Sequence, residues 1–304
     1  MATELTPDAA ANLRTSKRAS NSPWADAMRR LRRNPIAMLS GCLILLMIFI
    51  AIFAPLLAPH AYDAQDRAHT LINSGDGHKL GTDNLGQDTL SRLIYGARVS
   101  LSVGVIVEAI ELVIGVSLGL LAAYKGGLWD TILMRVTDAM FAFPDLLFAI
   151  LLVGIMRPTS PMASFLTVFV ALALVGWPGM ARLVRGQALA LREKEYVEAA
   201  RSIGVSGWGI ATRHLLPNML SPIIVALTVD IAAIIMAEAT LSFLGIGIQP
   251  PFPSWGRMIS DARPYLRSQP MLLVYPSIAL ASVVLAFNFF GDALRDALDP
   301  RLRD

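Results

Sequence analysis

The sequence predicts an all-α polytopic membrane protein with six transmembrane helices. Of its 304 residues, 55% are apolar and only 16% are charged, and the mean hydropathy is +0.55. A soluble domain carries about a quarter charged residues. Lys and Arg are also absent from six windows, each long enough for the roughly 20 apolar residues that a membrane-spanning helix needs. These windows are 34–66, 99–124, 136–156, 158–181, 214–256 and 268–294.

Each window predicts one membrane span. The chain must be helical there, because lipid offers the backbone no hydrogen-bond partners. The six predicted spans are 36–59, 101–123, 133–156, 162–180, 219–246 and 271–291.

Residues 1–35 form a polar N-terminal tail that ends in the basic stretch RRLRRNP. The apolar run that follows, 36–59, is too long for the core of a signal peptide, and no small-x-small cleavage site follows it. We therefore expect the first span to be retained.

The distribution of basic residues predicts the orientation. Eighteen of the 26 Lys and Arg residues lie on the same side of the membrane as the N-terminus, and eight lie on the other side. Because cytoplasmic loops are enriched in Lys and Arg, we expect both the N-terminal tail and the C-terminal tail, 292–304, in the cytoplasm. The net charge of +3 reflects this bias and does not indicate a nucleic-acid partner. The one cysteine, Cys42, lies in the first span and can form no disulfide within the chain.

Two external segments are predicted around a five-helix core at 99–291. The first, 60–98, contains turns at Gly81 and Gly86 and then an amphipathic helix that begins at Thr89 and leads into the second span. The second, 247–270, is rich in proline, which predicts a non-helical surface followed by a short helix.

The cytoplasmic loop at 181–218 contains a polar hairpin, 195–218. A first helix is predicted to stop at Gly204, the residue type that most easily adopts the left-handed conformation. Ser206 can cap a second helix, and Pro217 is expected to close that helix before the fifth span. From the residues alone, this hairpin is either a knob that docks on another protein or an amphipathic loop that rests on lipid headgroups.

The hairpin carries a recognisable pattern. Glu198-Ala199-Ala200, three residues, Gly204, nine residues and then His214-Leu215-Leu216-Pro217 resembles the cytoplasmic "EAA" loop of ABC importer permeases. Where His214 stands, the family usually has Ile. Four further stretches, RRLRRNPIAM, LGTDNLGQDTLSRLIYGARVSL, EATLSFLGIGIQPPFPSWGRMI and LAFNFFGDALRDALDPRLR, resemble the C-type subunit of the dipeptide/oligopeptide/nickel subfamily. In the second of these stretches Gln87 replaces a frequent Arg.

The resemblance implies a type I ABC importer permease fold in the bacterial inner membrane. It also implies four kinds of partner besides the lipid: a second permease, two cytoplasmic ATPases, an external solute-binding protein and a peptide substrate. Nickel and glutathione stay open as substrates. The coupling to the ATPases would be carried by Glu198, Ala199, Ala200, Gly204, Leu216 and Pro217.

ATP and Mg²⁺ are expected on the partner ATPases. A phosphate-binding Walker loop requires Gly-Lys, and the residue before each of the four lysines (17, 79, 125 and 194) is not glycine. We therefore expect no cofactor in this chain and a transport subunit rather than an enzyme.

One motif resembles that of a hydrolase. Residues 115–119, GVSLG, match the G-x-S-x-G pattern, but that motif needs a strand–turn–helix context, and these residues lie in the middle of a span. We expect no catalytic residue here. Gly115 and Gly119 instead predict a close helix-packing face.

His60, His69 and His78 recur every nine residues in the first external segment. This spacing matches no familiar metal-binding pattern. We therefore expect solvated histidines and no metal site.

Six acidic residues fall within or at the ends of the predicted spans: Glu108, Glu111, Asp138, Asp145, Asp230 and Glu238. Acidic residues inside a membrane are functional candidates, and the last four are candidate cavity-lining residues. Alternatively, they pair with the companion permease or lie at the membrane interface. A proton-coupled secondary transporter is the competing functional class, although no inverted repeat is evident.

Overall fold

The computed structural model describes residues 23–299, and every regular element in that range is helical. The parts of the two tails at 1–22 and 300–304 lie outside the described residues. The α-helices, in chain order, are α1 (Pro23–Arg33), α2 (Pro35–Ile52), α3 (Ala54–Leu57), α4 (Thr89–Lys125), α5 (Gly127–Phe141), α6 (Asp145–Met156), α7 (Pro161–Arg192), α8 (Glu195–Ser202), α9 (Gly207–Ile210), α10 (Leu216–Phe243), α11 (Trp255–Ala262) and α12 (Met271–Leu298). A π-helical turn, Ala211–Leu215, joins α9 to α10, and a 3₁₀ turn, Arg263–Tyr265, follows α11.

Five helices among the described residues are long and apolar enough to cross a membrane: α2, α4, α7, the continuous rod Gly207–Phe243, and α12. The predicted third span, 133–156, corresponds instead to the pair α5 and α6, which are bent by 89°. The break falls at 142–144, because Pro144 lacks an amide hydrogen and disfavours the helical conformation of the residue before it. The described residues therefore contain six candidate spans if this bent pair is counted as one.

The centre of the bundle is the contact between α4 and α7. A Cβ atom added at Gly115 would lie 2.6 Å from Cβ of Met180, and one added at Gly119 would lie 2.9 Å from Cβ of Val184. Only glycine allows the two helices to approach this closely, so the predicted glycine packing face is confirmed.

Asp88 is the N-cap of α4, at the junction between the preceding loop and the helix. Its Oδ2 atom accepts hydrogen bonds of 2.7 Å from the Ser91 backbone N–H and from the Ser91 hydroxyl. Burial raises the pKa of the Asp88 carboxyl, but the hydrogen bonds from Ser91 and His78 lower it by a larger amount. The pKa of Asp88 is therefore below its usual value. The predicted helix start at Thr89 is therefore confirmed, with a charged cap on its first turn.

The second external segment also follows the prediction. Residues 248–254 are non-helical, and Ser254 then caps α11 by accepting a hydrogen bond from the Arg257 N–H. Trp255 is buried and donates a 3.1 Å hydrogen bond from Nε1 to the carbonyl oxygen of Leu93 in α4. This contact holds the proline-rich segment against the outer end of α4.

Candidate functional site

The first half of the hairpin is α8, and it ends at a glycine as predicted. Gly204 has φ of +83°. Its N–H bonds to the carbonyl of Arg201 at 3.0 Å, and the N–H of Val205 bonds to the carbonyl of Ala200 at 3.1 Å. These two bonds form a Schellman motif, which satisfies the last carbonyls of the helix and fixes the direction in which the chain leaves it.

The second half of the hairpin differs from the prediction. Ser206 caps α9 as expected, since its hydroxyl accepts a 3.2 Å hydrogen bond from the Gly209 N–H. The helix does not close at Pro217, however. It widens into the π-helical turn, where the N–H of Leu216 bonds to the carbonyl of Ala211, and continues directly into α10. Pro217 lies in the first turn of α10, where a missing amide hydrogen is tolerated.

The inner face of the hairpin is packed against the transmembrane bundle. Val197 and Ala200 of α8 are buried in one apolar cluster with residues from the parts of α4, α7 and α10 nearest the hairpin. The other buried members of this cluster are Leu120, Ala123, Met180, Val184, Ala188, Ile210, Ala211, Leu215, Met219 and Ile223. Leu216 packs on the edge of the same cluster. The hairpin and three spanning helices therefore share one core.

Two further contacts, one of close packing and one hydrogen bond, hold the hairpin and the residues just before it against the end of α4. A Cβ atom at Gly207 would overlap the ring of Tyr124. Arg192, just before the hairpin, donates a 3.3 Å hydrogen bond to the carbonyl of Ala123.

The outer face of the hairpin exposes three large apolar side chains. Ile203 is 82% exposed, Trp208 is 59% exposed and Tyr196 is 41% exposed. Glu198 and Ala199 are exposed beside them. The sequence analysis did not single out Ile203. Its position immediately before the left-handed glycine could have identified it, because a residue at that corner projects from the end of the helix.

The predicted coupling residues thus lie on two faces. Glu198, Ala199 and Gly204 are exposed, whereas Ala200 is buried and anchors the hairpin. Leu216 and Pro217 lie in the first turn of α10, with Pro217 exposed and Leu216 half-buried.

The four candidate cavity-lining acids have different surroundings. Asp138 is exposed and forms a 2.6 Å ion pair with Arg182. Asp145 is exposed at the start of α6, and Asp230 is half-buried on α10. Glu238 is fully buried: it accepts hydrogen bonds from Ser242 at 2.7 Å and from Ser100 at 3.2 Å.

Two further acids are buried inside the bundle. Both carboxylate oxygens of Glu108 lack a hydrogen-bond partner among the described residues. Glu111 lies against the backbone of α7, where a Cβ atom at Gly176 would overlap its carboxylate. Burying a carboxyl group without a hydrogen-bond partner is unfavourable, so Glu108 is placed in the bundle at a cost in stability.

The histidines depart from the expectation of solvated side chains. His69 is half-exposed and pairs with Asp66 at 2.8 Å. His78 is only 7% exposed and lies 2.9 Å from Asp88 Oδ1. The prediction was wrong for His78 because folding of the external loop brings it against the cap of α4, a contact that nine-residue spacing does not reveal.

Comparison with known proteins identifies the family. Residues 115–304 match the family model described as the binding-protein-dependent transport system inner membrane component. Residues 22–75 match the N-terminal transmembrane domain of oligopeptide transport permease C.

Curated relatives align over nearly the whole chain. The glutathione transport system permease protein GsiD of Pectobacterium atrosepticum is 44% identical over 285 residues, covering 93% of this chain and 92% of the relative. The dipeptide transport system permease protein DppC of Bacillus subtilis is 44% identical over 289 residues, covering 94% and 88%. DppC of Alkalihalophilus pseudofirmus is 41% identical over 282 residues, covering 93% and 91%.

A solved structure shares the fold. A chain from an inward-facing crystal form of the MetNI methionine ABC transporter superposes with a TM-score of 0.56 at 20% identity, covering 68% of this chain and 96% of that chain. The all-helical architecture, the hairpin between the fourth and fifth spans and the two family matches agree. The chain therefore belongs to the binding-protein-dependent transport system inner membrane component family, as a C-type permease subunit of an ABC importer.

Proposed function

We propose that this permease imports short peptides, together with a second permease that completes the translocation path. Of the three relatives described above, two carry dipeptide transport in their names and one carries glutathione transport. Glutathione is itself a tripeptide, so both names describe small substrates with a free amino group and carboxylates. Nickel remains an alternative substrate within the same class of importer.

In this proposal the hairpin transmits movement from a cytoplasmic ATPase to the spanning helices. The observation that carries it is the two-sided hairpin: the inner residues Val197 and Ala200 are buried in the bundle core, whereas Ile203 and Trp208 are exposed. Exposed apolar groups of this size mark a surface that another protein covers. A docked ATPase would move the hairpin, α4, α7 and α10 as one body, which is the rigid-body type of switching.

The proposal also gives a place to the other partners, the ATPases and the solute-binding protein. ATP and Mg²⁺ would be bound by two ATPase subunits, and both termini of this chain would lie in the cytoplasm. An external solute-binding protein would deliver the peptide to the outer surface formed by 60–98 and 247–270. Asp145 and Asp230 are the acids best placed to meet a peptide amino group, because neither forms an ion pair among the described residues, Asp145 is exposed and Asp230 is only partly buried.

The proposal is tested by reconstituting the permease pair with its ATPases in vesicles. Dipeptide uptake should require ATP and the peptide-loaded binding protein, and it should persist when an ionophore removes the proton gradient. Competition with glutathione and Ni²⁺ distinguishes the substrates. The orientation is tested by labelling a Trp208→Cys variant in a Cys42→Ala background, which should react with an impermeant thiol reagent only from the cytoplasmic side.

The competing class considered from the sequence, a proton-driven secondary transporter, is not supported, because the family matches and the curated relatives place the chain among ABC importer permeases. The buried carboxyl of Glu108 has no hydrogen-bond partner among the described residues, which makes Glu108→Gln a direct check. ATP-dependent uptake should persist in this variant, whereas uptake that proceeds without ATPase subunits and stops when the proton gradient is removed would contradict the proposal.

A further inference from the structure

Three potential metal ligands converge at the outer end of α4. They come from three separate parts of the chain: His60 follows α3, His78 lies in the external loop and Asp88 caps α4. Their ligating atoms all lie within 4.8 Å of one another. Nδ1 of His78 is 2.9 Å from Oδ1 of Asp88, and Nδ1 of His60 is 3.8 Å from the same oxygen.

These separations suit an ion bound between the three side chains. With metal–ligand bonds of about 2.0–2.1 Å in a tetrahedral site, neighbouring ligand atoms lie about 3.3 Å apart. The His78–Asp88 distance is shorter than this value and the His60–Asp88 distance is longer. Side-chain movements of about half an ångström would bring both distances to the tetrahedral value. The 3.8 Å gap between His60 and Asp88 is too long for a hydrogen bond.

The site is also supported from behind. Oδ2 of Asp88 is occupied by the two hydrogen bonds from Ser91, which leaves Oδ1 facing both imidazoles. The Ser91 hydroxyl oxygen in turn accepts a 3.0 Å hydrogen bond from the His60 backbone N–H. One serine therefore positions two of the three ligands, as the outer-shell partners of metal sites do.

Access differs among the ligands. Asp88 and His78 are buried, whereas the His60 side chain is 40% exposed, and its ring lies beside that of His78 with centroids 4.7 Å apart and planes tilted by 31°. An ion can therefore enter from the side of His60, and a water molecule can occupy the fourth position. His69 takes no part, because it pairs with Asp66 elsewhere in the loop.

We propose that His60, His78 and Asp88 form a binding site for a first-row divalent cation of the Zn²⁺ type on the outer face of this permease. Two imidazoles and one carboxylate form a ligand set suited to Zn²⁺, Ni²⁺ and Cu²⁺ rather than to Ca²⁺ or Mg²⁺. In the occupied site, Nδ1 of His78 would offer its lone pair to the ion. The bound ion joins the end of the first span to the start of the second.

The test measures Zn²⁺ bound to the full-length permease, purified with its partner subunits in detergent. Equilibrium dialysis at pH 7.5 should give one more Zn²⁺ per assembly in the wild type than in a His60→Ala variant. His60→Ala is the primary variant because the side chain is partly exposed and its removal leaves the Asp88 cap intact. Its Kd should rise about 100-fold or more, since loss of a ligand weakens binding at least as much as loss of a supporting contact.

His69→Ala is the matched control, since it removes a histidine from the same loop without touching the cluster. It should bind Zn²⁺ as the wild type does. Ser91→Ala should weaken binding about 10- to 100-fold through the loss of the supporting hydrogen bonds. Co²⁺ added in place of Zn²⁺ should give visible absorption typical of a four-coordinate site in the wild type and in His69→Ala only.

Equal Zn²⁺ binding by the wild type and His60→Ala would overturn the proposal, as would a loss of binding in His69→Ala equal to that in His60→Ala. Because the readout is metal binding, either outcome leaves the transport proposal untouched.

Discussion

The hairpin, 195–218, and the loop 58–88, which is predicted to be external, are held in place by opposite means. The external loop is closed by hydrogen bonds within itself, such as those from the Leu71 N–H to the Asp83 carbonyl and from the Asp66 N–H to the Gly86 carbonyl, both 3.0 Å. The hairpin is attached to the bundle mainly by apolar packing. The loop therefore keeps its own shape, whereas the hairpin takes its position from the helices beneath it and must move when they move.

The largest expected effect tests the self-contained loop. Gly86 has φ of +74°, and a Cβ there would overlap the carbonyl of Asp66. Gly86→Ala should therefore lower both the thermal unfolding temperature and the yield of folded protein. The loss of stability should exceed the left-handed backbone penalty of about 1–2 kcal/mol, because the added methyl group also overlaps Asp66. Thermal unfolding in detergent, followed by size-exclusion fluorescence, measures this.

Gly77→Ala is the control for the left-handed backbone penalty alone. Gly77 has φ of +88°, and no atom lies within 4 Å of an added Cβ. If both variants unfold at the same temperature, the close packing of the loop on Gly86 is not what stabilises it.

The next effect concerns the exposed face of the hairpin. Burying an Ile side chain in an interface contributes about 1.5–3 kcal/mol. Ile203→Ser should therefore raise the concentration of ATPase subunit at which the permease half-maximally stimulates ATP hydrolysis by about tenfold or more. Because Ile203 is 82% exposed in this chain, the unfolding temperature should stay unchanged. Leu128→Ser, which removes an apolar residue that is 74% exposed on α5, is the control, and equal behaviour of the two would exclude docking at the hairpin.

A comparable effect is expected from the hairpin corner. Valine at position 204 would have to adopt a left-handed backbone at a cost of about 1–2 kcal/mol, which corresponds to a shift of about tenfold toward other hairpin conformations. Gly204→Val should leave the permease folded while reducing peptide uptake and ATPase stimulation. Gly204→Asn, which tolerates the left-handed conformation, should retain most of the activity, and full uptake by the valine variant would contradict the role of this corner.

The smallest effect is expected from charge reversal. Glu198→Lys changes an exposed charge, and exposed ion pairs contribute about 0.2–1 kcal/mol, so uptake and ATPase stimulation should fall about two- to fivefold. Glu195→Lys reverses a charge in the same helical turn and serves as the control for the helix dipole. Equal losses in the two variants would attribute the effect to the helix terminus rather than to a contact at Glu198.

Local sequence signals predicted much of this structure. The helix start at Thr89, the stop at Gly204 and the close packing at Gly115 each depend on a residue whose preference is strong at short range. The break at 142–144 could have been predicted, because Pro144 lies within the predicted third span. The apolar composition of that window nevertheless favoured one uninterrupted helix.

Other features depended on contacts between distant segments. Pro217 lies in the first turn of α10, directly after a π-helical turn, so the helix continues through it. The meeting of His60, His78 and Asp88 depends on the path of the external loop. Neither can be read from spacing, because the first depends on a local change of helix type and the second on contacts within the folded loop.

The length of α4 has a mechanical consequence. At 1.5 Å per residue its 37 residues extend about 56 Å, well beyond the hydrocarbon core of about 30 Å. It runs from the Asp88 cap at one end to Tyr124, beside Gly207 of the hairpin, at the other. A tilt of about 10° pivoting at one end would displace the other by about 10 Å, so a small rotation at the hairpin end is amplified at the opposite end of the helix.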